Sequence, residues 1–382
     1  MSDLDKNLPT DAIYLNFSEA FDTVSPIRLI YKLKGYGISG NLLNWIHDFL
    51  SDRSQYVQIN ESKSTLLPVT SGVPQGSVLG PTLFIYYIND LPNCTTANIK
   101  IFADDTKVFT TINDTNDQLK LQSAIDSLYE WTNKWLLKFN DTKCKVMHIG
   151  LNNPHYTYTI GNSTSKISLE STNIEKDIGV YIDPLLKFNH HVTEIVKKAN
   201  RVKYQIIKNI AYKTKNIRIP LFKGLVRPIL EYANIIWNNN LRKQSDEIER
   251  VQRTFTKLIS EVRNLEYEDR LMYLNLPSLE FRRFRGDLIE MFKITHDIYD
   301  PKTTENLFTF SNNQRLRQHE FKVNKFHTCK QQYKTFFTNR IVNVWNKLPP
   351  NIVQSDSINI FKNQIDKHFR EYMFSTNLLH LY

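Results

Sequence analysis

Three observations place this chain in the α+β class. Short apolar strand-like segments are joined by turns too tight for a crossover, amphipathic helices are interspersed among them, and helical periodicity takes over in the second half. An antiparallel sheet with helices on one face is therefore expected first, and a mostly helical region after it. At 382 residues and 41% hydrophobic content the chain can build a sizeable core in two or three domains. It has no run of about eighteen apolar residues, so no membrane span is expected. The polar, acidic start Met1-Ser2-Asp3-Leu4-Asp5-Lys6 does not read as a signal peptide. Cys94, Cys144 and Cys329 lie far apart, with neither zinc spacing nor a disulfide framework. That fits a reducing, intracellular setting.

The elements follow in order. Ala12 to Phe17 is a short apolar strand. Ser25-Pro26 opens a helix, with Ser25 as cap and Pro26 at its first position. A second helix covers Gly40 to Leu50. Tyr56–Ile59 and Leu67–Val69 read as a hairpin around a polar turn from Asn60 to Thr65. The segment Ser71 to Pro81 holds three glycines and two prolines, which demand a fixed, tight backbone. A helix is expected over Thr82 to Leu91 and another over Leu119 to Trp135, then a strand from Lys145 to Ile149. Beyond Gly150 a polar stretch leads to a strand pair ending at Ile178–Asp183. From about His190 the chain is helical, with further helices expected over Phe222–Trp237 and Asp246–Val262, the latter capped by Ser245.

One stretch organises the rest. Ile99 to Phe109 sets two β-prone arms around Asp104-Asp105, and Asp tolerates the left-handed backbone of a hairpin tip. Two adjacent carboxylates repel unless a cation lies between them, and Mg²⁺ suits oxygen ligands and phosphate substrates. Taken alone, such a pair is more often a solvated turn. Charge is uneven: residues 1–180 carry 15 Lys and Arg against 19 Asp and Glu, and residues 181–382 carry 34 against 20. A basic second half points to a polyanionic partner. The helix after His190 concentrates this charge at Lys197, Lys198, Arg201, Lys203 and Lys208.

The order of motifs is more specific than any one of them. Asn16-Phe17-Ser18-Glu19-Ala20-Phe21-Asp22 is followed by Pro74-Gln75-Gly76, Phe102-Ala103-Asp104-Asp105, Asn140-Asp141-Thr142-Lys143 and Ile178-Gly179-Val180. This resembles the palm of a reverse transcriptase of the jockey-like, non-LTR retrotransposon type. Leu225 to Ala233, Val251-Gln252-Arg253 and Ser278 to Leu288 resemble the C-terminal part of that family. The resemblance implies a polymerase-palm-like sheet over 1–150, primer-grip-like strands and a connector over 151–188, a basic helical thumb over 189–264 and a mixed C-terminal region over 265–382. It implies RNA-directed DNA synthesis from dNTPs on an RNA template and DNA primer, with two Mg²⁺ ions aligning the reacting oxygens.

Residue by residue, the resemblance makes Asp104 and Asp105 catalytic metal ligands and Lys143 the proton donor to the leaving pyrophosphate. Phe21 becomes the ring that a ribose 2′-hydroxyl would strike. Phe17, Gln75, Gly76 and Ala103 line the nucleotide pocket, Ile178, Gly179 and Val180 form the primer grip, and the basic helix holds duplex phosphates. Two departures follow. Asn16 stands where the family has a metal-binding aspartate, and a neutral amide bridges two cations poorly. The fingers region that precedes this strand in the family does not fit in the residues ahead of Asn16, so the expectation is a truncated, impaired polymerase. The alternative is a non-catalytic nucleic-acid-binding remnant that uses the basic helix.

Overall fold

The computed structural model describes residues 5–162, 164–311, 319–328 and 330–382; Cys329 and the first four residues lie outside them. The chain forms two compact units that meet in sequence between Ile178 and Gly179.

The first unit is α+β. In chain order it contains β1 (Thr10–Asn16), α1 (Pro26–Gly35), α2 (Gly40–Leu50), β2 (Arg53–Gln55), β3 (Gln58–Ile59), β4 (Ser62–Lys63), β5 (Leu67–Val69), α3 (Leu79–Ile88), β6 (Asn98–Phe102) and β7 (Asp105–Thr111). Then come α4 (Thr115–Trp135), β8 (Lys145–Ile149), β9 (Thr159–Asn162), β10 (Ser165–Ser168), β11 (Glu170–Ser171) and β12 (Glu175–Asp177). The main sheet runs β11-β8-β1-β7-β6. All of its ladders are antiparallel except the two-residue pairing of β11 with β8.

Period-2 alternation sorts the central strand. Ile13 and Leu15 face one way, and Ile13 lies opposite both Val108 and Val146. These side chains share one core with Leu29 and Leu33 of α1, Phe84 of α3 and Leu121, Ile125 and Leu128 of α4. The other face carries Tyr14 and Asn16 with their partners Lys107 and Asp105, none of them fully buried.

Several elements differ from expectation. The left-handed residue of the β6–β7 turn is Ala103, at φ 51°, while Asp105 is already the first residue of β7, paired with Phe102 and Asn16. The β2–β5 region is two short ladders, β2 with β5 and β3 with β4, so its tip is tighter than Asn60 to Thr65. Helix α3 starts three residues early because Pro81 fits the first turn, where an N–H has no partner anyway. Helix α4 likewise begins earlier, at Thr115, because the Asp114 carboxylate caps the N–H groups of Asn116 and Asp117.

The second unit opens with β13 (Val180–Ile182) and α5 (Asn189–Asn209). The helix expected over Phe222–Trp237 is α6 (Lys215–Leu221), a π-helical segment (Phe222–Val226), α7 (Arg227–Glu231) and α8 (Asn234–Trp237). It breaks after Tyr232 because Ala233 is left-handed, at φ 51°, and the indole N–H of Trp237 seals the Tyr232 carbonyl at 2.7 Å. Helix α9 (Arg242–Thr256) contains Ser245 rather than being capped by it. The Ser245 hydroxyl is buried and accepts from Arg283 at 2.8 Å, so it is not available to the helix end.

Helices α10 (Tyr267–Leu274) and α11 (Leu279–Thr295) lead into short C-terminal helices. Phe284, Leu288, Met291, Trp345, Val353 and Phe361 form a core there. Within this unit, buried Arg340 makes a two-pronged pair with Asp287 at 2.7 and 2.8 Å, and the Tyr382 hydroxyl donates to Asp287 at 2.8 Å. Among the described residues no helix is long and apolar enough to cross a membrane.

Candidate functional site

The site is built from the end of β1 and the start of β7. Antiparallel register puts Asn16 directly opposite Asp105, and the Asn16 amide Nδ2 donates to Asp105 Oδ1 at 3.2 Å. Asp104 precedes it in the turn. Asp105 is pushed above the ordinary carboxylate range by partial burial, then by the Asp104 charge. The Asn16 hydrogen bond works against this, and Asp177 adds to it. A carboxylate only accepts hydrogen bonds, so the amide must present its N–H and not its oxygen. The side chain at the end of β1 is thus a hydrogen-bond donor to Asp105.

Two loops are fastened to this end of β1. In the first, Gly72 N–H donates to the Val24 carbonyl and Val73 N–H to the Phe21 carbonyl, each at 2.8 Å. Gly72 has φ 84°, and a Cβ there would lie 2.7 Å from Asp22 Cα, so only glycine fits. Gln75 Nε2 reaches both Asp22 carboxylate oxygens at 3.0 Å. Gln75 and Gly76 are exposed, and Phe21 is half-buried with its ring stacked 4.7 Å from Phe84. In the second loop, Asn140 N–H donates to the Asn16 carbonyl at 2.8 Å, and exposed Lys143 follows in the same turn. The Phe17 ring is buried and stacks 4.9 Å from Phe139, so it belongs to the core and only its backbone is available to a ligand.

Asp11 does not stand in for the amide. It lies at the opposite end of β1, fully buried, and accepts from Asn153 and Tyr158 at 2.7 and 2.6 Å while His148 Nδ1 lies at 2.7 Å. Asp22 is occupied by Gln75. Sequence reasoning flagged the glycines of the first loop but missed Lys107 and Asp177. Lys107, two residues beyond Asp105 on one strand and therefore on its face, could have been found from the alternation. Asp177 gave no local signal.

On the second unit, Gly179 follows Ile178 with φ 81°, and a Cβ on it would lie 3.2 Å from the Tyr232 ring. Val180 is buried. Helix α5 exposes Lys197, Lys198, Arg201 and Lys208 along with Tyr204, and Lys197 pairs with Glu194 at 2.7 Å. Lys203 does not belong with them. It is half-buried, its amine donates to Thr254 on α9 at 2.8 Å, and burial lowers its pKa.

The resemblance implies two Mg²⁺ ions at this end of the sheet. Asp104 and Asp105 provide carboxylates from one turn only, and β1 contributes an amide whose N–H already occupies Asp105. Among the described residues no three His, Cys, Asp or Glu side chains form a group able to hold a metal. These residues do not fit a bridged pair of divalent ions.

A sheet that carries an Asp-Asp hairpin beside the end of its central strand, with helices packed behind, defines a polymerase-palm type of domain. The family described as "Reverse transcriptase (RNA-dependent DNA polymerase)" matches residues 6–209, more than half of the chain. The chain belongs to that family, whose reaction is RNA-directed DNA synthesis.

The RNA-directed DNA polymerase from mobile element jockey of Drosophila melanogaster is 27% identical over 267 residues, 65% of this chain and 28% of that protein. Its Drosophila funebris counterpart is 28% identical over 275 residues, 67% and 29%. The probable RNA-directed DNA polymerase from transposon BS of Drosophila melanogaster is 26% identical over 276 residues, 66% and 29%. The chain thus spans less than a third of the length of these relatives. Among solved structures, apo telomerase from Candida tropicalis aligns with a TM-score of 0.39 at 12% identity, over 71% of this chain and 46% of that one.

Proposed function

We propose that this chain is a reverse-transcriptase palm and thumb that holds an RNA template paired to a DNA primer but performs RNA-directed DNA synthesis from dNTPs only weakly. The observation that carries the reading is the Asn16 amide hydrogen-bonded to Asp105, where the family places a carboxylate. Replacing one shared ligand by a neutral donor lowers Mg²⁺ affinity and removes the bridge between two ions, a loss of several orders of magnitude in rate.

The other residues keep their inherited roles in this reading. Phe21, backed by Phe84, excludes a 2′-hydroxyl; Gln75, Gly76 and the Phe17 and Ala103 backbones border the nucleotide; Lys143 faces the leaving group; Ile178 to Val180 contact the primer. Primer extension on a primed RNA template tests the proposal. Incorporation is expected near that of an Asp104→Ala control, and robust synthesis above that control would refute it.

A second reading, nucleic-acid binding without chemistry, is favoured by the exposed cationic face of α5. Each phosphate contact contributes about 0.9 to the slope of log K against log salt. Arg201→Gln and Lys208→Gln should each lower that slope by about one. Lys203→Gln should leave it unchanged, because that amine is bonded to Thr254. Weak, salt-independent binding would remove this reading.

A further inference from the structure

The open face of the sheet holds an ion pair that the polymerase reading does not use. Lys107 lies two residues beyond Asp105 on β7, opposite Tyr14, so its side chain shares the face of Asp105 and Asn16, about 7 Å further along the strand. Its amine pairs with the Asp177 carboxylate and lies 5.8 Å from the centre of the Tyr14 ring. Both charged side chains are partly buried. Asp177 is the last residue of β12, and Ile178 follows it directly, itself at φ 43°. A left-handed isoleucine is strained, and such strain persists only where the surroundings hold it.

We infer that Lys107 and Asp177 are positioning residues. Their pair pins the end of β12, and with it Ile178, at a set distance from the Asp105 carboxylate. Resting on the primer-grip reading above, this makes the pair the gauge that sets where a primer 3′ end lies relative to Asp104 and Asp105. Exposed ion pairs contribute little, but removing one partner of a partly buried pair leaves a charge with less compensation and frees the strand it held. A shift of about 1 Å at a reacting end is enough to matter. Neither residue touches substrate in this account; both act through the backbone at 177–178.

The test uses the full chain with Lys107→Met, Asp177→Asn, Lys107→Arg and the exchanged pair Lys107→Asp with Asp177→Lys. Hydrogen exchange at the amides of 175–178 is expected to speed up about tenfold or more in Lys107→Met and Asp177→Asn, and to recover in Lys107→Arg and the exchanged pair. Unchanged exchange in Lys107→Met overturns the inference. Affinity for an RNA–DNA hybrid with a recessed primer 3′ end is then compared with that for a blunt hybrid of equal length. The wild type is expected to prefer the recessed end, and Lys107→Met and Asp177→Asn to lose most of that preference at a temperature where both remain folded. If the wild type discriminates and Lys107→Met does so equally, the positioning role falls while the primer-grip reading stands. If exchange rises but the wild type does not discriminate, the primer-grip reading fails and takes the gauge with it.

Discussion

Changing Asn16 to Asp sets a further carboxylate beside Asp105, and the structure says what that does before any catalysis. The amide N–H, 3.2 Å from Asp105 Oδ1, is replaced by an oxygen bearing negative charge. The lost hydrogen bond is worth about 0.5–1 kcal/mol at an exposed carboxylate. Two unit charges about 4 Å apart repel by about 1 kcal/mol in water and about 4 at an effective dielectric of 20. Asp105 is exposed, so the lower value applies and the whole change is about 1–2 kcal/mol destabilising.

In a domain of this size that is a fall of about 3–6 °C in melting temperature, measured at neutral pH in chelator. The Asp105 carboxyl is already raised in the folded state, so between the unfolded value of 3.8 and the folded one the folded chain binds more protons. Stability from this group therefore falls as pH rises through that window, and acidification should recover the variant. Excess Mg²⁺ should also recover it by binding the folded form, with little effect on the wild type. Equal stabilisation of both proteins by Mg²⁺ would refute the argument that the amide is what excludes the ion pair.

Three further outcomes are expected. Lys32 is buried beneath Trp135 and Trp131 with Asp90 as partner, and its pKa is lowered to about 8 by burial, against the opposing pull of Asp90. Between pH 8 and 10.5 the unfolded chain binds more protons at this group, so its contribution to stability rises with pH, and Lys32→Met should remove that rise from denaturant midpoints. Gly72→Ala forces a Cβ to within 2.7 Å of Asp22 Cα at a positive φ; a loss of about 1–3 kcal/mol is expected by thermal melting, with faster proteolysis at the Phe21–Asp22 turn. Arg340→Met strands the fully buried Asp287 carboxylate and should cost about 3–5 kcal/mol in the unfolding of the second unit, read from its urea midpoint.

Much of the palm was legible because its signals are local. The short apolar run Ala12–Phe17, the paired aspartates between β-prone arms, the apolar stripe of α4 and the Pro26 helix start each depend on neighbours within a few residues. Helix boundaries were less legible. Pro81 was tolerated in a first turn, Ala233 broke a helix without a glycine or proline, and Ser245 was drawn from capping by a buried arginine more than thirty residues away. The basic helix was found from composition, but which lysines it frees was not, since Lys203 is claimed by Thr254 of another helix.

By itself the sequence determined that an amide stands at position 16 and that two aspartates follow one another at 104 and 105, because identity and chain order are written directly in it. Only the tertiary structure decided that the amide points its N–H at Asp105, that Gly72 lies against the backbone of Asp22, and that Lys107 holds Asp177. Those contacts join residues 50 to 90 positions apart, and they exist only once the register of a sheet and the closure of its loops bring the groups together.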